Sequence, residues 1–173
     1  MSQDPRGRDL THVGADGAAR MVDVSAKPET ARMARATGTI RMERATLDAI
    51  RANSIAKGDV IAVARVAGVL AAKKTAELIP LCHPLPLTDV QIDLVADDAL
   101  PGLRATATTR TFGRTGVEIE AISAVCVTLV TVYDMAKAID KTMLISDVCL
   151  LDKTGGRSGD WHRPKMARPL PSD

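Results

Sequence analysis

The sequence predicts an α+β fold, a ferredoxin-like split βαβ protomer with helices packed on an antiparallel sheet, and three observations predict it. Leaving aside one short helix, period-two and helical apolar patterns follow in the order strand, helix, strand, strand, helix, strand. The two middle strands are joined by the short segment Asp97 to Gly102, which contains Pro101 and suits an antiparallel connection. Aromatic residues are only 2% of a chain that is 46% apolar, so Ala, Val, Leu, Ile and Met must build the interior. Such an interior favours close packing of helices on a sheet.

The 173 residues suffice to bury roughly two thirds of the unfolded surface in one core. Residues 1–36 are polar, carry Gly and Pro and show no sustained period, so they read as an extended arm able to reach a site. Residues 37–154 make up the ferredoxin-like domain, beginning with TGTIRM at Thr37 as a short strand. Ala45 to Ala52 follows as a short helix with Leu47 and Ile50 on one face, and Lys57 and Gly58 break the pattern. Asp59 is the N-cap of a helix predicted to run to about Leu78, with Val60, Val63, Ala64, Ala67 and Ala71 at helical spacing and Pro80 beyond its end. Pro80, Pro84 and Pro86 hold His83 on a constrained loop.

Val90, Ile92 and Leu94 alternate with Gln91 and Asp93, as in a strand with one buried face, and Leu103 to Phe112 forms its neighbour. A long helix from about Ala121 to Ile139 places Ile122, Cys126, Leu129, Tyr133 and Ala136 on one stripe. Met143 to Leu151 is the last predicted strand. Residues 155–173, dominated by Gly, Pro, Arg and Lys, read as a flexible C-terminal tail. No internal repeat occurs at solenoid periods.

With 23 Lys and Arg against 21 Asp and Glu, no overall field recruits nucleic acid or an anionic membrane, so any anion binding must be local. The longest uncharged apolar stretch, Ala121 to Tyr133, falls short of the ~20 residues of a membrane span. MSQDPRGRD lacks the apolar core of a signal peptide. Cys82, Cys126 and Cys149 are widely spaced and fit no zinc-ligand pattern, so the expectation is reduced thiols, a cytoplasmic location and no metal site. Cys82 beside His83 does not change this, because two adjacent residues rarely supply the convergent geometry of a metal centre.

Asp134 and Lys137, three apart on a helix, form either a solvated surface pair or, if they line a pocket, a proton-transfer pair. Glu118 and Glu120 point apart on a helix but face one site in an extended segment, which sets the helix start near Ala121. Thr115 to Glu118 also fits a capping box, so Glu118 has a structural reading as well as a chemical one. Lys57 with Gly58, and Lys153 with Thr154, Gly155 and Gly156, combine a cation with exposed amides suited to phosphate, without matching a P-loop. His83 is a phosphate donor, a proton shuttle or a hydrogen-bonded loop residue.

Taken together, five stretches resemble the cyclic pyranopterin monophosphate synthase family, the molybdenum cofactor biosynthesis protein C family. They are LTHVGADGAARMVDVSAK at 10–27, KGDVIAVARVAGVLAAKKTAELIPLCHPLPLT at 57–88, TGVEIEAISA at 115–124, YDMAKAIDK at 133–141 and LLDKTGGRSGDW at 150–161. The resemblance spans nearly the whole chain. It implies a ferredoxin-like protomer in a homo-hexamer, a trimer of dimers, with active sites built at protomer interfaces. By the same resemblance Asp134 and Lys137 are the catalytic pair, and Lys57, His83, Glu118, Glu120 and Lys153 occupy the other active-site positions. One departure is Ala136, where the family often has Cys; the position projects away from 134 and 137, so it bears on packing.

The resemblance also implies a small-molecule nucleotide substrate and a pyrophosphate-releasing lyase. That substrate is 3',8-cyclo-7,8-dihydroguanosine 5'-triphosphate, rebuilt into cyclic pyranopterin monophosphate. Asp134 and Lys137 would then serve as base and acid, with Glu118 and Glu120 at the purine. Lys57, His83 and Lys153 would hold phosphates, with Arg32 and Lys27 of the arm added to them. No cofactor is obligatory on this reading, though Mg²⁺ with the substrate phosphates is compatible. Two other expectations are weighed: an inactive paralogue that binds nucleotide or pterin, opposed by the complete acid and base set, and a zinc-dependent ring-opening hydrolase, opposed by the lack of clustered ligands.

Overall fold

The computed structural model describes residues 19–164. Its elements are β1 (Thr30–Arg41), α1 (Arg44–Arg51), α2 (Val60–Lys73), α3 (Thr75–Leu78), β2 (Leu87–Asp97), β3 (Gly102–Gly113), α4 (Glu118–Ala136), β4 (Leu144–Thr154) and β5 (Trp161–His162). The strands form one sheet in the order β2-β3-β1-β4-β5, antiparallel throughout. The protomer is therefore α+β and ferredoxin-like, as the alternating patterns predict.

Small side chains decide how closely the helices approach. Ala34, Ala36, Gly38 and Ile40 of β1 face α4, and a Cβ on Gly38 would lie 2.8 Å from Val125 Cγ1 and 2.9 Å from Leu129 Cδ1. Around this contact Leu94, Leu103, Ala105, Ala107, Val125 and Leu129 are buried in a single core. Because α4 is long and apolar, with a mean hydropathy of 1.6, it passes a length-and-composition test for a membrane span; 56% of that stretch is buried inside the protein, as befits a central core helix.

Helices α2 and α4 touch at Gly68, where a Cβ would land on Thr128 Oγ1 and 3.2 Å from the Ala124 carbonyl. Gly68→Ala is therefore expected to cost about 1–3 kcal/mol in denaturant unfolding, as over-packing does. Adding Thr128→Ala should recover part of the loss, since the Thr128 hydroxyl is buried without a hydrogen-bond partner among the described residues. An unchanged midpoint in Gly68→Ala would refute this account of the crossing.

Several predicted boundaries move. β1 begins at Thr30, inside the stretch read as arm, and two residues of the predicted tail are paired: Trp161 lies opposite Lys153 and His162 opposite Asp152. Residues 1–18 and 165–173, with the start of the first resembling stretch and the end of the tail, lie outside the described residues. The single helix predicted from Asp59 to Leu78 is two, separated at Lys74, where Thr75 Oγ1 donates to the Ala71 carbonyl at 3.0 Å. The predicted cap holds, with Ala62 N donating to Asp59 Oδ1 at 2.9 Å. Val63, placed on the buried face by spacing, is exposed, and Gly68 and Ala72 take the inner positions instead.

Asp140 ties the end of the α4 segment to the start of α1. Its side chain is 2% exposed and accepts from Glu43 N at 2.8 Å and from Thr142 N and Oγ1 at 2.8 and 2.7 Å. Burial alone would raise its pKa, but these donors prevail and hold it below the ordinary value.

Candidate active site

The candidate residues gather at the two ends of α4. At its C-terminal end, Asp134 Oδ1 lies 2.7 Å from Lys137 Nζ and Oδ2 lies 2.9 Å from Lys57 Nζ, which also donates to the Asp134 carbonyl at 2.8 Å. Both lysines sit where a helix C-terminus favours positive charge. The Lys137 and Lys57 ammonium groups hold the Asp134 carboxyl down at about pKa 2, and Asp134 in turn raises the pKa of Lys137. This pair thus rests as an ionised carboxylate and a protonated amine. Ala136 is fully buried beside them, so its side chain belongs to the packing.

At the N-terminal end lies a groove of about 920 Å³ between the arm, the start of β1, the end of β4 and the loops before α4 and after β4. Among the described residues, Lys27, Arg32, Arg114, Lys153 and Arg157 line it with a single carboxylate, Glu118. The positive end of the α4 dipole adds to these five cations, giving a site suited to a polyanion. Lys153 Nζ lies 2.9 Å from Glu118 Oε1 and donates to Ser158 Oγ at 3.2 Å. Arg32 donates through Nε to the Gly113 carbonyl at 2.9 Å and through Nη2 to that of Arg114 at 3.1 Å. Gly156, at φ 79°, passes so close that any side chain would strike the Arg32 guanidinium.

The two glutamates diverge, contrary to the expectation that both face one site. The helix starts at Glu118 rather than near Ala121, so residues two apart point to different sides. The capping box is not formed either: Val117 is the N-cap, without a side-chain cap bond, and Glu118 turns to Lys153. Glu120 is 3% exposed; its Oε1 accepts from the Cys82 thiol at 3.6 Å, and Oε2 has no hydrogen-bond partner among the described residues. Burial, helped by the charge of Glu118, raises the pKa of Glu120. Burial and the nearby Glu120 push the Cys82 thiol up to about 11.

His83 lies beside Cys82, where its Nε2–H donates to the Val22 carbonyl at 2.8 Å; it is not among the groove's lining residues. Within one chain, then, Lys27, Arg32, Glu118 and Lys153 come together, Glu120 and His83 stand to one side, and Lys57, Asp134 and Lys137 are remote. The sixteen residue steps along α4 from Glu118 to Asp134 span about 24 Å. Sequence reasoning missed Arg114 and Arg157. Both were in view, one directly before the TGVEIEAISA stretch and the other inside LLDKTGGRSGDW.

The model of the MoaC family matches residues 21–156, a span that holds the Lys57–Asp134–Lys137 cluster and all but the Arg157 edge of the groove. The chain belongs to the MoaC family. MoaC proteins are enzymes of molybdenum cofactor biosynthesis, with small-molecule substrates of the pterin pathway. The match covers every candidate residue from Lys27 to Lys153 and stops one residue short of Arg157.

Proposed function

We propose that this MoaC protein is a cyclic pyranopterin monophosphate synthase. It would convert 3',8-cyclo-7,8-dihydroguanosine 5'-triphosphate to cyclic pyranopterin monophosphate and pyrophosphate, as a phosphorus–oxygen lyase. The observation that carries this reading is the groove at the start of α4, where five cations surround one carboxylate in a volume suited to a nucleotide. Arg32, Lys153 and Lys27, joined by Arg114 and Arg157, hold the triphosphate and stabilise charge on the departing pyrophosphate. Asp134 is the general base and Lys137 the general acid, the protonation states in which the pair already rests. Glu118 and Glu120 act at the purine during ring opening and rebuilding.

The remote position of Asp134 and Lys137 supports a site shared between copies, because α4 is too rigid to bring its own two ends together. A homo-hexamer arranged as a trimer of dimers, with each groove completed by Lys57, Asp134 and Lys137 of another copy, meets that need. Val63, Val66 and Leu70 support it too, since they leave a solvent-facing apolar stripe on α2. Lys57 then reaches substrate phosphates only across such an interface. No cofactor is obligatory in this scheme; Mg²⁺ carried on the substrate phosphates is compatible with it. The enzyme is assigned to the cytoplasm.

The test is turnover of the cyclised nucleotide by the purified protein, following pyrophosphate and cyclic pyranopterin monophosphate together. Both products support the proposal. Tight binding with neither product would replace it by a nucleotide-binding paralogue.

A further inference from the structure

The arm segment from Val22 to Glu29 is held by polar tethers rather than by apolar burial. Asp23 and residues 25–29 are exposed, while Val22 and Val24 are only half-buried. At one end His83 Nε2–H donates to the Val22 carbonyl at 2.8 Å. At the other, Arg114 Nη1 donates to the Ser25 carbonyl at 3.1 Å, and Arg114 Nε lies 3.6 Å from Glu29 Oε1. Between the anchors, Lys27 N donates to the Val24 carbonyl at 3.0 Å, and Ser25 N and Oγ donate to Asp23 Oδ1 at 2.8 and 2.5 Å. That turn sets Ala26, Lys27 and Pro28 on the wall of the cationic groove.

His83 itself stands outside the groove lining, on a loop stiffened by Pro84 and Pro86. A stiff loop is a good anchor, and a segment with few buried contacts opens easily when an anchor is lost. We propose that His83 is a positioning residue. By holding the Val22 carbonyl it fixes the arm, and through the arm it presents Lys27 to an anionic ligand in the groove. This rests on the reading of the groove as the phosphate site, and it replaces direct phosphate contact as the task of His83.

The experiment uses the full-length protein with inorganic pyrophosphate as the probe, in a double-mutant cycle of His83→Ala and Lys27→Ala read by calorimetry. Each single change is expected to weaken binding by ~10-fold, the effect of one charge-assisted contact. The double variant should be no weaker than the poorer single, because His83 acts through Lys27. His83→Gln, whose amide can replace the Nε2–H donor, should restore affinity to within ~3-fold. Amide exchange should accelerate at residues 22–28 in His83→Ala and stay unchanged in β1 and β4.

Additive losses, reaching ~100-fold in the double variant, would show direct ligand contact and overturn the proposal. So would unchanged arm exchange in His83→Ala. A Lys27→Ala protein that binds pyrophosphate normally would remove the phosphate reading beneath it, a failure visible in that variant alone and therefore distinguishable from the other two.

Discussion

Asp134→Asn is expected to lose turnover by ~10²- to 10⁴-fold while the protein stays folded, because the change removes the proposed general base without touching the core. The Asp134 side chain is 55% exposed, and both of its ion pairs are open to solvent, where such pairs contribute little to stability. Thermal unfolding of the variant should therefore stay close to that of the parent at neutral pH. The linkage has a definite sign. A carboxyl lowered to about pKa 2 in the folded state adds stability above its unfolded pKa and loses it as pH falls through about 2. Across any ordinary assay range Asp134 is fully ionised, so it adds no acidic limb to the rate profile. Lys137, raised above its ordinary value, keeps its proton until strongly alkaline pH, which places loss of the acid there. A folded Asp134→Asn protein with full turnover would dismiss the assigned pair.

The length of α4 extends that prediction to mixed assemblies. If Asp134 of one copy serves the groove of another, then Asp134→Asn and Lys153→Ala chains, each inactive alone, regain activity on co-assembly. Some shared sites would then receive an intact Asp134 from one chain and an intact Lys153 from its neighbour. A site contained within one chain could never recover in this way, and about 24 Å of rigid helix separates its two halves.

What the sequence made legible, and what it hid, follows from how far each signal reaches. The Asp59 cap and the alternation of Val90, Ile92 and Leu94 are local, and both elements are where the pattern puts them. The first seven residues of β1 carry no large apolar alternation, because the buried residues there are the alanines Ala34 and Ala36 and the charged ones are satisfied at a distance. Arg35 pairs with Asp152 at 2.6 Å, and Arg32 is held by the carbonyls of Gly113, at the end of β3, and Arg114, in the loop that follows. The break at Lys74 is silent because AAKKTAEL consists largely of good helix formers. At the site, spacing placed Asp134 beside Lys137 correctly. It misjudged the glutamates, since their directions depend on where the helix begins. The bond from His83 to Val22 crosses 61 residues, and nothing local encodes it.

Glu120→Gln should separate chemistry from folding more cleanly than any other change in the groove region. The carboxyl is almost wholly buried, with one oxygen met only by the Cys82 thiol and the other lacking a partner among the described residues. Burial favours its neutral form, so an amide of the same shape mimics that form and leaves packing intact. Turnover should still fall by ~10²-fold or more, because an amide cannot give up and regain the proton. The stability difference carries its own sign. A pKa raised in the folded state contributes stability that is present below the unfolded value, about 4.3, and is lost as pH rises through the folded value. The glutamine protein should therefore gain on the parent as pH climbs through that window and hold a constant lead above it. Denaturant unfolding at a series of pH values, beside turnover at each, reads both effects. Parallel stability profiles would mean that Glu120 is ionised in the folded protein. Full turnover in the folded glutamine variant would leave the proposed ring opening to Glu118 and the Asp134–Lys137 pair.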